Sequence, residues 1–149
     1  MYTFKNILVP VDGSEFSLNA AQIAASIAEK YQAQLTLLHV ISHSLDKFSI
    51  HRGEENDFNN EINKIRQQGV DILKTAVKSL GDHDTNIEMI LSWGDPAKVI
   101  LEEVEDKGFD LIVIGSRGLG TIRGLFLGSV TERISRAVAC PVLTVKKLG

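Results

Sequence analysis

Five glycines, at positions 115, 118, 120, 124 and 128, fall directly behind the unbroken apolar run Leu111-Ile112-Val113-Ile114. Glycine loses more conformational freedom on folding than any other residue, so such a cluster answers either a turn requirement or a ligand that must approach the backbone. The chemistry on offer is anion binding. Gly115 and Gly118 have no Cβ to hold phosphate oxygens away from backbone N–H groups, and Gly128-Ser129 stands where a helix would open, its free N–H groups and dipole favouring negative charge. Ser129 and Thr131 add hydroxyl donors, and the Arg117 guanidinium suits a terminal phosphate. Far upstream, Asp12 offers a carboxylate to ribose hydroxyls or to a hydrated metal ion. Taken alone, the glycines read better as turn residues and Ser129 as a plain helix cap.

Two common phosphate motifs are excluded or weak. None of the glycines is followed by lysine, which removes a Walker A loop. Gly118-Leu119-Gly120 begins a dinucleotide fingerprint, but Arg123 takes the third glycine's place and Gly124 arrives one residue late. Catalytic groupings are no stronger. His39, His43, His51 and His83 show neither metal-ligand spacing nor a nucleophile partner, and His39 within an apolar run reads as a satisfied core residue. Cys140 lies in an apolar stretch as a small hydrophobe. Glu102, Glu103, Glu105 and Asp106 read as a solvated helix face.

The elements that must position these residues follow from hydrophobic periodicity. Short β-branched runs predict strands over 6–11, 34–41, 86–91, 110–114 and 141–145. Helical spacing of apolar residues predicts helices over 18–31, 58–80, 96–104 and 127–137, with Asp95-Pro96 as a start and Gly81 as a stop. Residues 43–56 have no period and read as a long loop. Strands that alternate with helices and are apolar on both faces predict an α/β fold: a five-stranded parallel sheet with helices on both faces, in one domain over 1–149. Ligands of such sheets bind beyond the carboxyl ends of the strands, where strand order reverses. Those ends carry Pro10, Val11 and Asp12 in the first strand, Val40 in the second, and Gly115, Arg117 and Gly118 in the fourth.

The spacing Gly115, two residues, Gly118, nine residues, Gly128, Ser129 resembles the ATP-binding signature of the universal stress protein family. ILVPVDGSE near the start, LLHV, GDPAKVI, DLIVIGSRG, LGSVTERI and CPVLTVKK are similar to the same family's pattern, so the resemblance covers nearly the whole chain apart from 43–56. It implies a Rossmann-like fold of the adenine nucleotide alpha hydrolase-like kind. It also implies ATP with Mg2+ or Mn2+ held mainly by the phosphates, backbone near Val11 and Val40 against adenine, and Val130 beside phosphates and ribose. Proteins of this kind usually pair as homodimers through the last strand, and Pro141-Val142-Leu143-Thr144-Val145 would be an unprotected apolar edge in a monomer.

The implied role is a cytoplasmic, nucleotide-dependent regulatory or signalling module of the stress response, with at most slow hydrolysis. Two alternatives stay open: an ATP hydrolase or adenylate-transferring enzyme using the same pocket, and a dimeric interaction scaffold without nucleotide. The bulk of residues 119–127 exceeds what a solvated loop needs, which points to a partner contact or a lid. A net charge of -3 supplies no basic field for sequence-independent nucleic-acid binding. No run of about 18 apolar residues suggests a membrane span, and the start of the chain lacks a signal-peptide pattern.

Overall fold

The computed structural model describes residues 1–42, 55–118 and 127–147. In chain order the elements are β1 (Asn6–Pro10), α1 (Glu15–Tyr31), β2 (Gln34–Ile41), α2 (Glu55–Ser79), β3 (Ile87–Trp93), α3 (Pro96–Lys107), β4 (Leu111–Gly115), α4 (Ser129–Ala137) and β5 (Val142–Val145). The five strands form one sheet in the order β3-β2-β1-β4-β5, and every pairing is parallel.

Two apolar layers explain the uninterrupted hydrophobic strands. Ile7 and Val9 of β1 point into a core shared with α1 and α2, whereas Leu8 points into a second core that includes Ile100 of α3 and Ile134 of α4. All three β1 side chains are fully buried, as a central strand covered on both faces requires. The stripe of α1 that faces the sheet is Ala20, Ala21, Ala24, Ala25 and Ala28, so this helix lies close against it.

Strand order reverses between β1 and β4. The chain winds outward from β1 through β2 to β3, then returns to the other side of β1 for β4 and β5. The segments leaving β1 and β4 therefore diverge and open a crevice at the carboxyl ends of these strands.

Several boundaries differ from the sequence reading for local reasons. Helix α1 begins before residue 18 because Ser14 caps it: its Oγ accepts from Ser17 N at 3.2 Å. Helix α3 runs past 104 to Lys107, where Gly108 adopts φ 67° and ends it. Helix α4 starts at Ser129 rather than 127, since Gly128 is extended and serves as its N-cap. Residues 55 and 56, read as loop, belong to α2, while the remainder of the 43–56 loop and residues 119–126 lie outside the described residues.

Gly115 has a steric reason that the sequence does not disclose. A Cβ there would stand 2.8 Å from Phe16 Cβ and 2.9 Å from the Phe16 carbonyl carbon, where α1 crosses the end of β4. Because backbone is in the way, Gly115→Ala is expected to lower unfolding free energy by about 1–3 kcal/mol, the usual range for overpacking. Urea denaturation followed by circular dichroism measures this, and an unchanged midpoint would contradict it.

Candidate functional site

Above the carboxyl ends of β1, β2 and β4 lies a cleft of about 570 Å³. All eleven residues named from the sequence line it. Pro10, Val11 and Asp12 come from the end of β1, Val40 from β2, and Gly115, Arg117 and Gly118 from the end of β4. Gly128, Ser129, Val130 and Thr131 arrive from the start of α4.

One end of the cleft is built from glycines and a helix terminus. The Gly128 N–H donates to Ser116 O at 2.7 Å, which pins the start of α4 against the end of β4. As a result the two glycines meet: a Cβ on Gly128 would lie 3.7 Å from Gly118 N and 3.4 Å from Arg117 Cα, ordinary contacts that the fold tolerates. The first intrahelical bond runs from Glu132 N to Gly128 O at 2.9 Å, and the N-cap, Gly128, has no side chain with which to cap the N–H groups of the first turn. An uncapped helix start of this kind favours an anion.

Asp12 faces that terminus from across the crevice. Its Oδ1 accepts from Ser14 N at 2.9 Å and its own N–H donates to Ser17 Oγ at 3.3 Å, which fixes the turn between β1 and α1. Oδ2 lies against Gly118 so closely that a Cβ on Gly118 would overlap it. Gly118 therefore has to be glycine for Asp12 to stand where it does. Among the described residues that line the cleft, Asp12 is the one acid. No group of three or more His, Cys, Asp or Glu able to hold a metal occurs among the described residues.

One sequence expectation needs correction. The Thr131 hydroxyl, buried in the fold, donates to Gly115 O at 2.7 Å, so its proton ties α4 to β4 instead of remaining a free donor. At Val11 the N–H donates to Leu38 O at 2.8 Å and the carbonyl accepts from His39, which fixes the backbone at the end of β1.

Sequence reasoning missed the wall formed by α2, where Ile65, Gln68, Gly69 and Ile72 face the cleft. An amphipathic pattern shows which face of a helix is apolar, but not that part of the face overhangs the end of a sheet. Gly69, a glycine inside a helix, was the available signal. His39 also lines the cleft, half-buried, so the reading of it as a core residue captures only one of its ring nitrogens.

Other polar contacts hold the frame. Asp95 Oδ2 caps α3 through Lys98 N and also pairs with Arg133 Nη1, both at 3.0 Å, linking α3 to α4. Both partners are half-exposed, and such pairs contribute about 0–1 kcal/mol. At the opposite end of the sheet, Asp110 accepts from the N–H groups of Lys5 and Asn6. Cys140 is half-buried away from the cleft. Burial pushes its thiol above the ordinary value, and the Asp110 charge adds to this against the opposing effect of a backbone hydrogen bond. Among the described residues, no helix is long and apolar enough to cross a membrane.

The sequence model described as the universal stress protein family matches residues 3–146. Universal stress protein YxiE of Bacillus subtilis is 35% identical over 147 residues, an alignment covering 96% of this chain and 99% of YxiE. The solved structure of MJ0577, a universal stress protein of Methanocaldococcus jannaschii, superposes with a TM-score of 0.83 at 29% identity and covers 99% of each chain. A universal stress protein crystallised in complex with cAMP superposes with a TM-score of 0.63 at 28% identity, over 99% of this chain and 100% of the other.

Proposed function

From the fact that this chain belongs to the universal stress protein family, we propose that its cleft binds an adenine nucleotide, ATP above all. The observation that carries this reading is the convergence of Gly118, Gly128 and the uncapped start of α4 on one crevice at the strand-order reversal. The N–H groups of the first turn of α4 then meet the polyphosphate, the missing side chains at Gly118 and Gly128 let it come close, and Arg117 pairs with its far end. Asp12 receives the ribose hydroxyls or a water of the metal ion. Pro10, Val40 and Val130 supply apolar contact along the sugar and base. The relative that binds cAMP supports the adenine class of ligand.

Mg2+ or Mn2+ would be held mainly by the phosphates, and Asp12, the one acid among the described lining residues, would receive a water of the ion. The ion's chemistry there is neutralisation of phosphate charge. Because Asp12 is the single acid among the described lining residues and also orders a turn, it is a poor general base, and hydrolysis is at most slow. We read the whole chain, 1–149, as one regulatory unit that works in the cytoplasm during stress and reports its nucleotide state to a protein partner. It does so as a homodimer joined along β5, an edge strand with Leu143 39% exposed.

The test is mass spectrometry of small molecules released on denaturing the purified protein, paired with calorimetric ATP titration with and without magnesium. Adenine nucleotide near one per chain, or saturable ATP binding, is the expected result. A protein that is empty and also ignores added ATP overturns the reading and leaves the glycines structural.

A further inference from the structure

The cleft has a second polar pole, away from the glycines, on the side closed by α2. His39 occupies it. The ring Nδ1 lies 2.7 Å from Val11 O, and since a carbonyl can only accept, Nδ1 carries the proton. In the neutral ring Nε2 is then an acceptor and nothing else. The ring is also held in place. Helix α2 crosses it at Gly69, where a Cβ would stand 3.2 Å from His39 Cδ2, 2.7 Å from Leu91 Cδ1 and 3.3 Å from Ile41 Cδ1. Among the described residues the ring's one hydrogen bond is through Nδ1, and His39, half-buried, lines the cleft. Ile65 and Ile72 flank this pole with apolar surface suited to the face of a planar ring.

We infer that His39 reads the edge of the nucleobase, its tautomer-locked Nε2 accepting from an exocyclic amine and thereby selecting a 6-aminopurine over a 6-oxopurine. The inference rests on the nucleotide reading above and assigns a residue to its specificity. A 6-oxopurine would set its carbonyl lone pairs against the Nε2 lone pair, leaving both acceptors unsatisfied in a partly desolvated site. Sites built around such a hydrogen bond reject the mismatched analogue more strongly than an apolar pocket rejects a missing methylene.

The experiment compares ATP with inosine triphosphate, which keeps the sugar and phosphates and replaces the 6-amino group with an oxo group. Both are titrated calorimetrically into the wild-type chain and into His39→Asn. The asparagine amide can keep the bond to Val11 O but does not reach the Nε2 position. Wild type is expected to prefer ATP by about 10- to 100-fold. In His39→Asn that ratio is expected to fall to within about threefold, mainly through weaker ATP binding, while affinity for inosine triphosphate changes little. Equal affinities in wild type overturn the inference while leaving the nucleotide site intact. A variant in which both ligands weaken together at a constant ratio also overturns it, because His39 would then be purely structural. If wild type binds neither triphosphate, the nucleotide reading itself fails and takes this one with it.

Discussion

Valine at both Gly118 and Gly128 is expected to weaken ATP binding by about 100-fold or more, given that each charge-assisted hydrogen bond to phosphate contributes roughly 1.5–3 kcal/mol. The two substitutions act differently. At Gly118 a Cβ overlaps Asp12 Oδ2, so the carboxylate must leave its place at the crevice. At Gly128 the nearest protein atoms are at 3.4 Å or beyond, and the branched side chain would instead cover the N–H groups that open α4. Gly128→Ala alone should therefore leave the unfolding midpoint nearly unchanged while still lowering affinity. That pairing separates a ligand contact from a folding defect. Calorimetric titration alongside thermal unfolding checks it, and unchanged ATP affinity in the double variant would remove this cleft from the nucleotide reading.

Thr144→Pro is expected to convert the proposed homodimer to monomer, raising its dissociation constant by about 100-fold or more, because proline cannot donate to a ladder and its ring obstructs a neighbouring strand. The substitution is chosen from the hydrogen bonds of the edge. Val145 O accepts from Ser116 N at 2.7 Å and Pro141 O accepts from Ile112 N at 3.0 Å. Along a parallel pair, alternate residues turn their backbone groups toward the same neighbour, so 141, 143 and 145 face β4 and Thr144 turns its N–H to the open edge. Proline there spares the β4–β5 pairing and the cleft behind it. Sedimentation velocity on wild type and variant reads the outcome. A variant that stays dimeric with ATP binding intact would place the interface elsewhere than β5.

Periodicity and turn chemistry alone were enough for the layered α/β architecture. Each strand of a covered parallel sheet must be apolar on both faces, and each helix on one, so order and type of the elements are written locally. The same holds for Gly115, Gly118 and Asp12, which stand just past predicted strand ends at the ligand-binding edge of such a sheet, and for Gly128, which stands at the predicted opening of the last helix. Boundaries were less legible. Ser14 and Gly108 set the ends of α1 and α3 through a cap bond and a left-handed turn, which an apolar repeat does not encode.

What tertiary structure decided is which atoms are already engaged. Thr131 resembles a phosphate donor until its hydroxyl is seen bonded to Gly115 O, 16 residues away. Gly115 resembles a phosphate-loop glycine until α1 is seen lying against it through Phe16. His39 resembles a core residue until Val11, 28 residues earlier, is seen to take one ring nitrogen and the residue is found in the wall of the cleft. Donor satisfaction and close approach depend on partners brought near by the sheet's strand order, and distance along the chain carries no record of them. The sequence determined the elements and the residues at their ends; the packing of α1, α2 and α4 over the sheet determined which of those residues still had a hydrogen bond to offer.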